Sequence, residues 1–326
     1  MYNEKQKKEF ISYYTKKNTT AQLTRQIFDS FEPYESTWQM DLSAQNAELL
    51  QPVINEITGL RSKSADPILI ILREYVKWCK NNGLETSRGI FEVRLSFTDK
   101  IRRQMVASPL DLKIRLDYAF DVPEKETVDI VYRVFLWTAF AGMEDVDAIR
   151  LTANNIDLPK LRINFEGHSY ELYKECILDF EKACNLIEFY YEHSEPDYVM
   201  WRNRAESDLI LRGIRTPEVK LERLRAAVRQ KLVSAQQPDD GDNDYRKQSK
   251  LAYNRVYLSG LFYRMYERER AGIQPNFSAI VAQDMAKRRA IEEYTLTKTR
   301  TLTTIANTME RNYLLDYQKW KCAFDI

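Results

Sequence analysis

Apolar residues recur three and four positions apart over segments 4–17, 20–36, 41–59 and 66–82, and again from about residue 127 to the C-terminal end. That spacing lays an apolar stripe along one side of a helix, so most of this chain is restricted to helices packed against helices. Strand-like alternation is clear in one place: Leu161–Phe165 and Ser169–Tyr173 read as a hairpin joined at Glu166-Gly167-His168.

Local signals mark where the helices begin and end. Thr19-Thr20, Asp41 and Asp66-Pro67 read as starts, the last because proline has no amide to leave unpaired at the first helical position. Gly83 fits the left-handed residue that stops a helix. From Leu84 to Ala107 the pattern loosens, with Phe91, Val93, Leu95 and Phe97 alternating in an extended-looking stretch, and Ser108-Pro109 then opens a second unit. A long helix runs from about Thr127 to Gly142, and a short one covers 145–151. Beyond the hairpin, helices are expected over 174–192, 217–233, 247–270, 276–293 and 297–323, with a disordered loop at 234–246. A chain of 326 residues suits two cores better than one. The division expected is a helical domain over 1–95, a linker over 96–107 and a larger domain over 108–326.

Composition narrows the function. The longest apolar stretches are too short or interrupted to cross a bilayer, and the first residues lack the apolar core of a secretory signal, so a cytoplasmic protein is expected. Cys79, Cys176, Cys184 and Cys322 form no close pair, and the chain has two histidines, so reduced thiols on helix faces are expected, with no metal and no cofactor. Net charge is +1, weak for a nucleic-acid binder, but the charge is segregated. Acidic residues gather in Asp239-Asp240-Gly241-Asp242-Asn243-Asp244, whereas basic ones gather at 61–63, 102–103, 202–215, 223–231, 246–250 and 287–289.

The segment Gly142-Met143-Glu144-Asp145-Val146-Asp147-Ala148-Ile149-Arg150-Leu151, followed by Asn155-Ile156-Asp157-Leu158, resembles the first active-site box of the tyrosine recombinases, or phage integrases. In that family the box ends the long helix opening the catalytic domain and leads into a small sheet, where this sequence has its hairpin. The resemblance implies a mainly α, two-domain fold: an N-terminal four-helix core-binding (SAM-like) domain, then a helical catalytic domain with a small β-sheet, the two clamping a duplex.

It also implies a chemistry. A tyrosine attacks a phosphodiester, two arginines neutralise the phosphorane, and a hairpin lysine or a histidine moves the proton. Here the first arginine falls on Glu144, whose carboxylate reverses the local field. The second box falls on Asn254–Ser259, with Tyr257 at the arginine position; Arg255, or Arg264 about two turns on, restores a cation in a shifted register. His168 is either a general acid or a plain exposed turn histidine, because imidazole titrates near neutrality. Tyr313 and Tyr317 are the candidate nucleophiles, or else packing residues of a late helix with Leu314 and Trp320.

Phosphate binding asks less than catalysis, because Lys and Arg on one face release counterions whatever the sequence. Arg61, Lys63, Arg102, Arg103, Arg202, Arg204, Arg212, Arg215 and Arg264 are the expected DNA contacts, and the basic helix 221–232 is a further candidate. The expectation is a catalytically degenerate, DNA-binding recombinase relative from a phage or mobile element, with double-stranded DNA as partner and homo-oligomers formed through the C-terminal helix. An active recombinase with an unusual site, and a helical scaffold that meets protein partners, are the alternatives.

Overall fold

The computed structural model describes residues 1–15, 21–57, 62–94, 97–120, 128–186, 188–192, 199–203, 207–212, 218–235, 246, 249–291 and 302–326; for 62–66, 128, 188–192, 199–203, 287–291 and 302 it describes the backbone alone. The chain divides into two compact units, Met1–Lys100 and Ile101–Ile326. Among the described residues no helix is long and apolar enough to cross a membrane.

The first unit contains α1 (Glu4–Thr15), α2 (Ala21–Trp38), α3 (Ala47–Ile57), α4 (Ser62–Asn81) and the single turn α5 (Gly89–Glu92). Its core is aromatic: the Phe10 ring meets Phe28, Tyr75 and Trp78 at 5.9, 5.1 and 5.8 Å. The helix expected over 41–59 is broken. Asp41 caps a 3-10 turn, Leu42–Ala44, by accepting the Ser43 amide at 2.9 Å, and α3 begins afresh at Ala47. The break lets α5 come close, since a Cβ on Gly89 would lie 2.2 Å from the Gln45 carbonyl. The start expected at Asp66-Pro67 is corrected too: α4 begins at Ser62 and carries Pro67 inside it, where the missing amide removes one intrahelical bond. Gly83 ends α4 as expected, with φ +71° and the Leu84 amide donating to the Cys79 carbonyl at 3.0 Å.

A buried ion pair ties α1 to α2. The Lys7 ammonium donates to Glu35, and both side chains are wholly buried. Glu35 also accepts the Leu42 amide at 2.9 Å, and Asp41 lies 3.9 Å from the ammonium. Burial pushes the Glu35 carboxyl up, while Lys7 and the Leu42 amide oppose it.

The second unit begins inside α6 (Thr98–Gln104), a helix where an extended linker was expected; the alternation of Phe91, Val93, Leu95 and Phe97 misled because Ile90 and Val93, three apart, are the residues that bury. Next come α7 (Pro109–Ala119), capped by Ser108 accepting the Asp111 amide at 3.1 Å, then α8 (Val128–Ala141) and α9 (Asp145–Ala148). A three-stranded antiparallel sheet follows: β1 (Ile156–Asp157), β2 (Arg162–Phe165) and β3 (His168–Glu171), in register Ile156↔Ile163 and Phe165↔His168. The helix expected over 174–192 ends early. After α10 (Ile177–Asn185) the chain forms a second hairpin, β4 (Glu188–Glu192) with β5 (Val199–Asn203). The unit closes with α11 (Leu221–Ser234), α12 (Tyr253–Arg270), α13 (Ser278–Ile291) and α14 (Leu302–Phe324). Most of the loop expected to be disordered, 236–245, lies outside the described residues.

Helix α8 is the centre of this unit, with Val134, Phe135, Leu136, Ala139 and Phe140 all buried. Arg133 and Trp137 anchor it to α10 by donating to the two Asp179 oxygens at 2.9 and 2.7 Å. On its other side α12 crosses at Gly260, where a Cβ would stand 1.9 Å from the Phe140 carbonyl. Helix α14 joins this core through Tyr317, Trp320 and Ala323. Cys79 and Cys176 are buried, and Cys322 is exposed.

Removing one member of a buried ion pair strands the other, which costs about 3–5 kcal/mol, whereas replacing both with apolar groups is close to neutral. Lys7→Met alone is therefore expected to lower the first unit's denaturation midpoint sharply, and Lys7→Met with Glu35→Leu to recover most of it. A double variant no more stable than the single one contradicts the pairing.

Candidate functional site

The box that carries the family resemblance begins where α8 stops. Gly142 takes φ +92°, and the Met143 amide donates to the Thr138 carbonyl at 3.0 Å, turning the chain so that Glu144 caps α9. The space a side chain would fill at Gly142 holds the Arg264 guanidinium: a Cβ there would sit 2.6 Å from Nη2. Arg264 Nη1 donates to the Phe140 carbonyl at 2.6 Å. The cation thus caps the negative end of α8. Burial lowers its pKa, and the Tyr173 and Tyr257 phenols oppose that.

Tyr257, at the second arginine position, is half-buried. Burial and then the Asp284 carboxylate push its phenol up, and among the described residues the cation acting against them is Arg264. Asp284 in turn accepts the Tyr313 hydroxyl at 2.6 Å, and the Tyr313 ring stacks on Phe277 at 5.7 Å. Arg264, Tyr257, Asp284 and Tyr313 therefore share one neighbourhood, in which the Arg264 guanidinium and the Asp284 carboxylate both act on Tyr257. Tyr317, one turn on, meets the same Phe277 ring at 5.9 Å but sits deeper. It is fully buried, tilted against Phe262 at 5.7 Å and stacked on Trp320 at 6.0 Å, and its hydroxyl donates to Glu269, which also receives Lys321 at 2.8 Å.

Around Glu144 the field is acidic but paired. Arg225 on α11 donates to Asp145, and Arg150 donates to Glu166 and lies 3.6 Å from Asp147. The Asp147 carboxyl is raised chiefly by burial; Arg150 and then His168 oppose this, and Glu166 and Asp145 add to it. His168 was expected in the turn. The turn is Glu166-Gly167, with φ of +46° and +80°, so His168 opens β3 as an exposed residue opposite Phe165.

Three expected DNA contacts are engaged by other groups of the chain. Arg102 donates through Nε to the Ala323 carbonyl and through Nη2 to Asp325 at 2.8 Å; Arg212 donates to the carbonyls of Ser207 and Leu186; Arg264 serves Phe140. Arg103 is half-buried, and its carbonyl accepts the Lys250 amide at 2.8 Å. Arg255 is half-buried in the first turn of α12. Arg61, Arg204 and Arg215, and the side chains of Lys63 and Arg202, lie outside the described residues. The sequence reading missed the ion pairs of Arg225 with Asp145 and of Arg150 with Glu166, although Arg225 lies in the basic helix and Arg150 in the box itself.

Residues 1–81 match the family model described as the MrpR N-terminal core-binding domain. No curated protein matches. Among solved structures, XerA recombinase is 10% identical with a TM-score of 0.35, covering 81% of this chain and 84% of that one. The integrase from mycobacterium phage Brujita is 10% identical with a TM-score of 0.31, covering 96% and 91%. Those two similarities carry no argument about the site. The family match thus covers the helices of the first unit, which are similar to a core-binding domain.

Lys321, and after it Tyr317, hold the Glu269 carboxyl below its usual value near 4.5. A depressed carboxyl contributes stability above about pH 4.5 that is lost as pH falls through its folded value. Melting of the wild type is expected to fall in that acid window, and Glu269→Gln to be less stable at neutral pH with a flatter acid limb. Parallel curves contradict the contact.

Proposed function

We propose that this chain binds double-stranded DNA without cutting it, as a catalytically degenerate recombinase relative that serves a phage or other mobile element as a regulatory or architectural protein. One observation carries the reading. Where the family has its first arginine the chain has Glu144, and Arg264, the described cation that acts on Tyr257, is bound to a main-chain carbonyl. A phosphorane needs preorganised positive charge, and losing even one stabilising donor typically lowers turnover about 100- to 1000-fold. A carboxylate in its place acts against the reaction as well.

The candidate phenols fit the same reading. Tyr313 and Tyr317 both donate to carboxylates, which places negative charge where a phosphate would have to approach, and burial and then Glu269 push the Tyr317 phenol up, away from a nucleophilic phenolate. Binding is supported by α11, where exposed Arg223 and Arg229 flank the buried stripe Leu224, Val228 and Leu232, beside Arg225 and Lys231, which are paired with Asp145 and Asp129. Contacts of this kind attach to backbone phosphates and carry no sequence information. Homo-oligomers through α14 and a cytoplasmic location belong to the same proposal.

A salt titration tests it. Duplex is expected to be retained at low salt, with affinity falling linearly on logarithmic axes as salt rises, each neutralised phosphate contributing a slope of about −0.9. Absence of retention at about 50 mM salt removes the DNA reading.

A further inference from the structure

Two arginines of the second unit are engaged by carboxylates in a way that leaves them open to exchange. Arg225 donates from Nε to Asp145 Oδ2 at 2.8 Å, and its Nη2 donates to the same oxygen. The Asp145 side chain is only 17% exposed, whereas that of Arg225 is 49% exposed, so a seated carboxylate holds a guanidinium that reaches it from solvent. The pair borders an open cavity of about 440 Å³ that Arg229, Tyr253 and Asn254 also line. The second case is Arg150. Its Nη2 donates to Glu166 in the hairpin turn, its Nη1 lies 3.6 Å from Asp147, and its guanidinium stands 5.2 Å from the centre of the Phe165 ring. Arg150 and Glu166 are both more than half exposed.

Carboxylate and phosphate present a guanidinium with the same kind of charged oxygen acceptors. The Arg150–Glu166 pair is exposed and contributes little to stability, and Arg225 reaches Asp145 from the solvent side, so a duplex phosphate can compete with the carboxylate at both arginines. We propose that Arg225 and Arg150 are phosphate ligands already occupied within the chain by Asp145 and Glu166. These carboxylates compete with the duplex and set its affinity below what the cations alone would give. The inference rests on the DNA-binding reading and adds to it which cations make the contact and what restrains them.

The test is a duplex titration, at several salt concentrations, of the wild type, Asp145→Asn, Arg225→Gln and the double variant. Asp145→Asn is expected to bind up to about fivefold more tightly, with a salt slope steeper by about one. In the Arg225→Gln background the same substitution is expected to bring no gain. That cycle separates release of Arg225 from the general effect of removing one negative charge. Wild-type binding that Asp145→Asn leaves unchanged or weakens, or an equal gain with Arg225 absent, overturns this inference and leaves the DNA reading standing. Failure of both wild type and Asp145→Asn to retain duplex at low salt overturns the two together. Should Asp145→Asn not fold, Glu166→Gln on the exposed hairpin carries the same prediction for Arg150, judged by the same outcomes.

Discussion

The carbonyl of Phe140 is the point from which the second unit is built. Gly260 brings the backbone of α12 against it, because no Cβ fits there, and four residues on, Arg264 donates to the same oxygen. The guanidinium lies at the negative end of α8 and fills the space that Gly142 leaves empty. One contact therefore fixes the crossing of two central helices, the turn that ends α8, and the place where Glu144 and α9 begin. A cation held this way is a structural part of the helix end, and drawing it out would leave a buried carbonyl without its partner.

That constraint underlies the proposed loss of catalysis. A phosphoryl-transfer site needs guanidiniums aimed at the charge that develops, in surroundings that do not cancel them. Here the local guanidinium points into the protein, Tyr257 and Tyr313 face a carboxylate, and the residues after Glu144 hold Arg225 and Arg150 in ion pairs. The geometry is ordered, but its charges are directed inward and toward each other. The proposed attachment to a phosphate backbone asks less, because it depends on the number of cations a duplex can reach rather than on two of them converging.

Features written locally were legible in the sequence. Ser108-Pro109 starts a helix because the hydroxyl caps and the proline presets φ, and Gly83 stops one because a left-handed residue is required. The first box could be placed because its spacing is carried in one continuous segment. Segments with two competing signals were misread. Glu188–Glu192 continued a helical pattern yet holds Phe189, Tyr190 and Tyr191, aromatics that favour strand, and the pairing with β5 decided. Which late tyrosine is buried was not legible either. Tyr313 and Tyr317 lie one turn apart on nearly the same side of α14, and only the depth at which Phe262 and Trp320 meet the helix separates them. The engagement of Arg102 and Arg264 depends on carbonyls more than a hundred residues away, which no local pattern encodes.

The central claim is that too little convergent positive charge remains for strand cleavage. The most direct measurement is covalent trapping on a nicked suicide duplex, resolved under denaturing conditions and mapped by mass spectrometry. The account predicts no protein–DNA adduct at Tyr313 or Tyr317 under conditions where the duplex is bound. An adduct that forms with the wild type and disappears in Tyr313→Phe would contradict it.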